Sequence, residues 1–256
     1  MSQSFPGAFS LEGENALITG GATGIGYGIA KAYSAAGAKV ILAGRREDEL
    51  KRAVSELGER SDYRVHDVTA FSQSASLINS IEDQHGSLTI LVNNAGIHLK
   101  KPAVEVTEEE FLQVLNVHVL GAFSLSRNVA TNMMRNEKGS ILFIASMASL
   151  FGIPYVTAYS AAKSAYLGMV RALATEWSPK GIRINAIAPG WIETEMMRKA
   201  IESDPERKRK ILGRTPMNKF GSVEDIGWAA TYLSSPAAQF ITGTCLSVDG
   251  GVSIGF

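Results

Sequence analysis

Short apolar runs alternate along the chain with segments whose apolar residues recur at helical spacing. The runs predict strands over 15–19, 39–43, 63–66, 88–92, 140–145, 183–188 and 245–248. The intervening segments predict helices over 24–36, 47–58, 71–85, about 107–135, and 157–177. Such alternation predicts parallel strands joined by right-handed crossovers, and strands apolar on both faces imply helices on both sides. We therefore expect an α/β fold built on a doubly wound parallel sheet of about seven strands.

Sequence signals at the ends of the predicted helices support this prediction. Thr107 with Glu110, and Ser222 with Asp225, have the spacing of capping boxes that open helices. The stretch 198–214 is densely charged, which is typical both of a solvated helix face and of a lid beside a site. Both interpretations stay open, and we expect the wider segment of about 191–221 to lie on the substrate side.

Composition narrows the class of protein. The 256 residues contain no internal repeat, low-complexity tract or linker, so we expect one domain over 1–256. A net charge of zero argues against a broad surface for nucleic acid or acidic membranes. The single cysteine, Cys245, excludes an internal disulfide and fits a reducing compartment. The start of the chain lacks a signal-peptide pattern, and no apolar run reaches the ~18–20 residues of a membrane span. We therefore expect a cytoplasmic protein with neither nucleic-acid nor membrane partners.

A glycine-rich turn joins the first predicted strand to the first predicted helix. Residues 19–26 read TGGATGIG, with the spacing G-x-x-x-G-x-G. Glycines let a backbone approach a pyrophosphate, and a helix N-terminus offers free N–H groups to an anion. This strand–turn–helix context favours a dinucleotide loop in a Rossmann-like fold over a glycine turn without a ligand.

The pattern Tyr-x-x-x-Lys occurs twice, as Tyr27/Lys31 and as Tyr159/Lys163. Four residues apart on a helix means one face, so either pair could bring a phenol beside an ammonium. Tyr27 follows the glycine loop directly, and ordinary helix packing explains it. Tyr159 lies thirteen residues after Ser146, a hydroxyl just past a strand, where open α/β sheets bind ligands. We therefore expect the second pair to carry the chemistry.

With these motifs in order, the chain resembles the short-chain dehydrogenase/reductase family from about residue 10 to its end. The matching motifs are the glycine loop at 19–26, NNAG at 93–96, the PG turn at 189–190 with Thr194, and VDGG at 248–251. The family's catalytic tetrad maps onto Asn116, Ser146, Tyr159 and Lys163. The resemblance implies an NAD(P)(H)-dependent oxidoreductase that interconverts a secondary alcohol and a ketone.

The resemblance also implies roles for individual residues. Tyr159 would act as general acid/base, and Lys163 would lower its pKa and hold the nicotinamide ribose. Ser146 would bind the substrate oxygen, and Asn116 would keep its helix kinked around a water of the proton relay. Cofactor contacts are expected from Gly20, Thr23, Gly24, Ile25, Gly26, Asp67, Val68, Asn93, Ala95, Gly96, Tyr159, Lys163, Pro189, Gly190, Ile192 and Thr194.

The end of the second predicted strand bears on the choice of cofactor. NAD-preferring members of the family place an aspartate there to bind the ribose 2′-hydroxyl, whereas this chain has Gly44 followed by Arg45 and Arg46. Arginine suits a 2′-phosphate through charge-assisted contacts. We therefore favour NADP(H) over NAD(H), although Thr23 in the glycine loop is neutral where many NADP-using relatives are basic.

The sequence specifies the substrate less closely than it specifies the reaction. Within the family the chain looks most like sugar-acid members such as the gluconate 5-dehydrogenases. His98, Lys100 or Lys101, and less strongly Arg214, are candidates to hold a substrate carboxylate, with Trp191 beside them. A solvated basic loop is the alternative for these cations. Reduction of 3-oxoacyl groups on a carrier protein uses the same tetrad and stays open, and a catalytically silent dinucleotide-binding regulator is a remote third reading.

Two further expectations concern metals and assembly. The four histidines are scattered without a Cys/His cluster, so we expect no catalytic metal. The resemblance implies a homotetramer that pairs through the helices around 107–135 and 157–177.

Overall fold

One parallel sheet organises the part of the chain that the structure, a computed structural model, describes, namely residues 6–195, 197–198 and 205–255. The sheet has seven strands within these ranges, in the order β3-β2-β1-β4-β5-β6-β7, and every neighbouring pair is parallel. The strands are β1 Asn15–Thr19, β2 Lys39–Gly44, β3 Ser61–Val65, β4 Ile90–Asn93, β5 Gly139–Ile144, β6 Ile182–Pro189 and β7 Cys245–Val248. The doubly wound α/β fold predicted from the sequence is confirmed.

Helices cover both faces of the sheet. They are α1 Gly24–Ala35, α2 Glu47–Leu57, α3 Ser74–His85, α4 Glu108–Leu115, α5 Gly121–Arg135, α6 Thr157–Trp177, α7 Pro205–Gly213 and α8 Val223–Ser234. The two predicted capping boxes are present at the N-termini of α4 and α8. None of the described helices combines the length and the apolar character needed to cross a membrane.

Two large apolar clusters form the core, one on each face of the sheet. In β1, Leu17 belongs to the cluster with α3, α5 and α6, whereas its neighbours Ala16 and Ile18 belong to the cluster with α1 and α8. Side chains of a strand alternate between faces, so a strand buried on both sides needs apolar residues at every position. All three side chains are fully buried, which explains the continuous apolar run in the sequence.

Among the elements whose bounds differ from the prediction, two do so for a clear physical reason. β3 begins at Ser61 rather than at residue 63, because Ser61 and Asp62 pair with β2 as edge-strand residues whose side chains need not be apolar. The helix expected over about 107–135 is interrupted by a π turn at Asn116–Leu120. Such turns widen the helical spiral and are frequent at functional sites.

The charged stretch expected over 198–214 is partly described. Its second half forms α7, Pro205–Gly213, in which Lys210 pairs with Glu206 at 2.9 Å. Residues 199–204, within both this stretch and the expected substrate-side segment, lie outside the described residues, as does Met196. The choice between a solvated face and a lid therefore stays open.

Candidate active site

The site begins where β1 and β4 part at their carboxyl ends. The strand order reverses between these two strands, which is where open α/β sheets bind ligands. Thr19, the last residue of β1, accepts the backbone N–H groups of Asn94 and Ala95 at 3.0 Å each and donates to the carbonyl of Val92 at 3.2 Å. This buried hydroxyl ties the end of β1 to the turn after β4, so both rims of the crevice are held together.

The glycine loop owes its shape to close backbone contacts. Gly20 and Gly24 have φ values of +63° and +55°, a region that favours glycine. A Cβ on Gly26 would lie 2.3 Å from the carbonyl oxygen of Gly20, so no larger residue fits there. Asn94 closes the loop by donating its amide to the carbonyls of Thr19 and Gly20.

The N-terminus of α1 is open toward the crevice. Among the described residues, no side chain caps it, because the hydroxyl of its N-cap residue Thr23 does not bond to the first turn. A Cβ on Gly24 would meet nothing nearer than a methyl group of Thr194 at 3.6 Å. Free N–H groups beside open space suit a phosphate, and these residues fit the diphosphate of a dinucleotide.

A cavity of about 320 Å³ continues from this loop past the ends of β2 and β3. The predicted cofactor residues in its wall are Gly20, Thr23, Arg45, Arg46, Asp67, Val68, Ala95 and Gly96. Arg45 lies 3.7 Å from the carboxylate of Asp67, and both side chains are exposed. Thr69 donates its backbone N–H and hydroxyl to Asp67, which lowers the pKa of that carboxyl group. The cavity therefore combines two exposed guanidinium groups with one anchored carboxylate.

The other predicted cofactor residues lie around this cavity. Ile25 and the buried Gly26 start α1, and Ile192 and Thr194 follow β6, with Ile192 bridging to Gly221. A Cβ on Gly190 would lie 2.6 Å from the Cα of Asp249, so the turn after Pro189 packs tightly on the chain after β7. The side chain of Asn93 is buried and donates to Ser126, so it faces the core rather than the cavity.

The predicted catalytic side chains gather beyond β5. Ser146 follows that strand, and its hydroxyl accepts the N–H of Ala148 at 3.1 Å and contacts the phenol of Tyr159. Lys163 lies one turn further along α6, with its Nζ 5.6 Å from the centre of the Tyr159 ring. Asn116 is the first residue of the π turn, the position at which the resemblance implied a distorted helix. Ser146, Tyr159 and Lys163 thus share one site at the end of β5.

Burial governs the electrostatics of this group. Burial raises the pKa of Tyr159, and the hydrogen bond with Ser146 opposes only part of that shift. Burial also lowers the pKa of Lys163 to about 7, and its Nζ donates to the carbonyl of Ile144 at 2.5 Å. In the protein alone burial therefore sets the direction of both pKa shifts, and the lowering of the phenol pKa that the resemblance assigns to Lys163 stays a prediction.

Two residues that the sequence analysis did not single out complete this group. His118 is buried in the π turn, and its ring lies edge-on to Tyr159 with centres 5.5 Å apart. Tyr166 donates its hydroxyl to the carbonyl of His118 at 3.0 Å, and the ammonium of Lys163 lies 4.8 Å from the centre of the Tyr166 ring. The predicted His98 lies on another side of Tyr159, at 5.0 Å between ring centres. A lone histidine in an amphipathic helix gives no sequence signal for such a contact.

A second cavity, of about 620 Å³, lies between the loop 150–155 and the chain after β6. Lys100, Trp191 and Arg214 contribute to its wall, as do Phe151, Ile153, Pro154, Tyr155, Ile211 and Val252. The guanidinium of Arg214 lies 5.5 Å from the centre of the Phe151 ring. Tyr155 has a φ of +68°, a strained conformation of the kind that clusters at functional sites.

The predicted substrate-binding residues do not all line the second cavity. Lys100, Arg214 and Trp191 line the second cavity. The ammonium of Lys101 is held instead by both carboxylate oxygens of Glu110, at 3.0 and 2.9 Å. That ion pair occupies Lys101, so its assignment as a substrate ligand is not supported by this geometry.

Comparisons with known proteins agree with this architecture. A family model described as enoyl-(acyl carrier protein) reductase matches residues 20–253. The 2-dehydro-3-deoxy-D-gluconate 5-dehydrogenase of Bacillus subtilis (strain 168) is 38% identical over 250 residues, covering 95% of this chain and 96% of that protein. The gluconate 5-dehydrogenase of Gluconobacter oxydans (strain 621H) is 35% identical over 254 residues, covering 98% and 99%.

A solved structure gives the same result in three dimensions. A gluconate 5-dehydrogenase from Burkholderia cenocepacia J2315, in complex with NADP and tartrate, superposes with a TM-score of 0.92 at 32% identity. The match covers 98% of this chain and 99% of that one.

Proposed function

The chain belongs to the short-chain dehydrogenase/reductase family and is an NAD(P)-dependent oxidoreductase acting on CH–OH groups, and from that premise we propose that it interconverts a hydroxyl and a keto group on a sugar acid with NADP(H). The observation that carries the proposal is the 620 Å³ cavity between the loop 150–155 and the chain after β6, whose wall includes Lys100 and Arg214. Within the described part of the chain, neither cation forms an ion pair, and Glu206 in the same wall is paired with Lys210 at 2.9 Å. Both are therefore available to an anionic substrate.

The dinucleotide would be held by the parts of the site that fit it. The N-terminus of α1 would bind the diphosphate, Asp67 and Val68 would contact the adenosine, and Arg45 and Arg46 would contact a 2′-phosphate. When bound, such a dinucleotide would supply the hydride chemistry at the carbon that carries the substrate oxygen.

The protein's own part in the reaction is the movement of one proton. Because burial raises the pKa of Tyr159, its phenol is protonated at neutral pH and can donate to the oxygen of a ketone as that oxygen gains charge. Ser146, in contact with the phenol, would bind the same oxygen and orient it. In the opposite direction Tyr159 must accept a proton, and the nearby ammonium of Lys163 would stabilise the phenolate.

The substrate cavity supports a carboxylate at one end and a carbon chain along its wall. Arg214 rests on the Phe151 ring, which limits the positions that its guanidinium can take, and guanidinium groups bind carboxylates in a fork geometry. Trp191 and Tyr155 provide flat apolar surfaces of the kind that pack against carbon-bound hydrogens. The NADP and tartrate of the Burkholderia gluconate 5-dehydrogenase complex are consistent with this combination in a relative.

A second candidate has its own support. The apolar side chains Phe151, Ile153, Ile211 and Val252 in the cavity wall would also accept an acyl chain. The matching family model is named for enoyl-(acyl carrier protein) reductase, and a 34% identical relative from Thermotoga maritima is named 3-oxoacyl-(acyl-carrier-protein) reductase. Reduction of a 3-oxoacyl thioester is therefore the alternative that the experiment must separate.

A substrate panel tests the proposal. We expect gluconate and 2-dehydro-3-deoxy-gluconate, or their oxidised and reduced partners, to be turned over with NADP(H), and a 3-oxoacyl thioester to react far more slowly. Replacement of Arg214 by Gln should raise the KM for the sugar acid about tenfold or more and leave the KM for a neutral polyol unchanged, since one charge-assisted contact contributes about 1.5–3 kcal/mol. Arg135→Gln, an exposed residue at the end of α5, is the control for loss of charge. Turnover of the thioester alone would reject the sugar-acid assignment.

Pairing of copies of the chain is a separate part of the proposal. Leu112, Leu120 and Phe123 are exposed apolar residues along α4, the π turn and α5. We propose that these helices form a contact between copies in a homotetramer, which sedimentation analysis of the wild-type protein can test.

A further inference from the structure

His118 stands between the two halves of the site. Its ring is 1% exposed and lies edge-on to Tyr159 at 5.5 Å and to Tyr166 at 6.4 Å. On its other side the chain passes through Gly96 and Ile97, which line the cofactor cavity. One buried imidazole is therefore in contact with the wall of the cofactor cavity and with the phenol that handles the proton.

Hydrogen bonding fixes the orientation of this ring. Its Nε2 lies 2.8 Å from the carbonyl oxygen and 3.1 Å from the nitrogen of Ile97, while among the described residues its buried Nδ1 has no partner. With a hydrogen on Nε2 the ring donates to the carbonyl of Ile97, and without one it accepts the N–H of Ile97, so in either tautomer one hydrogen bond ties the ring to this residue.

The imidazole also explains the residue at position 96. A Cβ on Gly96 would lie 2.2 Å from Cε1 of His118 and 3.0 Å from both ring nitrogens. Gly96 has no positive φ, so its backbone conformation does not require glycine. The requirement comes from the ring beneath it, which lets the backbone of Gly96 rest directly on His118.

From these contacts we propose that His118 is a positioning residue that fixes the turn Gly96–His98 between the cofactor cavity and Tyr159. The turn rests on the ring at Gly96, is tied to it by hydrogen bonding at Ile97, and carries the His98 ring that contacts Tyr159 at 5.0 Å. The inference rests on the proposed function in that it takes Tyr159 as the proton-transferring group. Displacement of this turn would misalign the cofactor and the phenol together.

Two substitutions of His118 separate its hydrogen bond from its bulk. His118→Gln places an amide N–H where Nε2 lies, whereas His118→Leu fills the space without a donor. We expect His118→Leu to lower kcat about tenfold or more and to raise the Kd for NADPH measured by fluorescence, because small misplacements of reacting groups are costly. His118→Gln should restore most of both. Equal losses in the two variants at equal thermal stability, or no loss in either, would overturn the proposal.

A double-mutant cycle tests the contact itself. Gly96→Ala should weaken NADPH binding strongly in the wild-type background and only slightly in the His118→Ala background, where the added methyl group has room. Gly168→Ala in α6, where a Cβ would meet nothing within 4 Å, is the control for the glycine replacement. Additive effects of the two changes would contradict the proposed contact.

The binding measurements need no substrate, so they remain informative whatever the enzyme oxidises. If wild type binds NADPH but turns over no sugar acid, the proposed substrate class fails while the coupling between Gly96 and His118 is still measured.

Discussion

The same pattern, Tyr-x-x-x-Lys, stands on two helices of this molecule with opposite surroundings. On α1 the hydroxyl of Tyr27 donates to a carboxylate oxygen of Glu56 at 2.5 Å, and Lys31 lies 3.5 Å from Glu224. Each member of that pair thus meets a carboxylate from a different helix, at the protein surface. On α6 burial is the main cause of the pKa shifts of Tyr159 and Lys163, and the hydrogen bond with Ser146 opposes the shift of Tyr159.

The difference shows that the four-residue spacing only places the tyrosine and the lysine on one face of a helix. The groups around the pair decide what chemistry it can perform. A carboxylate that accepts the phenol's hydrogen bond stabilises the protonated phenol. Burial together with Glu56 accordingly raises the pKa of Tyr27 to about 12. Tyr159 also has a raised pKa, but its neighbours are a hydroxyl, two imidazole rings and an ammonium. None of these groups is a carboxylate that would hold the proton on the phenol. Ser146, the hydrogen-bond partner of Tyr159, follows β5 at the carboxyl end of the sheet.

Removal of the two phenol oxygens gives the largest expected contrast. Tyr159→Phe should lower kcat by about 10²–10⁴-fold, since general acid/base catalysis contributes that much. The Kd for NADPH should change much less than kcat, because Tyr159 is one among many expected cofactor contacts. Tyr27→Phe, which deletes the same atom from the same pattern, should change kcat less than about twofold. The comparison breaks if both variants lose activity equally, or if Tyr159→Phe stays active.

The contrast also marks how far sequence reasoning reaches. The parallel sheet was predictable because its strands are buried on both faces, and continuous apolar runs are the direct consequence at Ala16, Leu17 and Ile18. The glycine loop was predictable because Gly20 has a positive φ and a Cβ on Gly26 would lie 2.3 Å from the carbonyl oxygen of Gly20, and both requirements are local to the loop.

Contacts that join distant segments were not predictable. His118 and Gly96 are twenty-two positions apart, and His118 lies within the π turn, so neither residue signals the other in the sequence. Lys100 and Lys101 look equivalent as letters, yet only the fold brings Glu110 to Lys101 and leaves Lys100 in the cavity wall. The sign of the Tyr159 shift depended on burial, which the helix pattern alone could not measure.

The next largest contrast is expected in protein stability, when Lys163 and Lys31 are each replaced. Burial lowers the pKa of Lys163 to about 7, whereas an unfolded lysine titrates near 10.4. Below pH 7 the ammonium is therefore buried at a full cost, and this cost disappears as the pH rises from about 7 to about 10.5. Lys163→Met should raise the free energy of unfolding by about 1–3 kcal/mol at pH 6, with a smaller gain at pH 9.

Lys31→Met provides the matched comparison. Lys31 is half-exposed and paired with Glu224, so its replacement should lower stability by less than about 0.5 kcal/mol at either pH. Chemical denaturation of both variants at pH 6 and pH 9 measures the difference. A Lys163→Met protein less stable than wild type at pH 6 would show that the ammonium gains more from its contacts with Ile144 and the two tyrosines than it loses by burial.

A smaller effect is expected on the choice between NADP and NAD. The region after the first Tyr-x-x-x-Lys copy contains Arg45 and Arg46, so Arg45→Asp should raise the KM for NADP about tenfold and favour NAD, because it removes one charge-assisted contact and adds a carboxylate beside Asp67. At saturating cofactor kcat should stay near the wild-type value. Arg60→Asp, an exposed change of equal charge before β3, is the control. An unchanged ratio of kcat/KM for the two cofactors would show that Arg45 does not read the 2′-phosphate.

The smallest effect concerns the surface pair itself. Tyr27→Phe removes one exposed hydrogen bond, so it should lower the free energy of unfolding by only about 0.5 kcal/mol at pH 7. The folded-state pKa of Tyr27 is raised to about 12, above the unfolded value near 10, so its contribution is fully present below pH 10 and is lost as the pH rises toward 12. The gap between wild type and Tyr27→Phe should therefore close over that range in urea denaturation. A gap that stays constant would mean that packing of the ring, rather than its bond to Glu56, sets what Tyr27 contributes, and the carboxylate would then no longer distinguish the two copies.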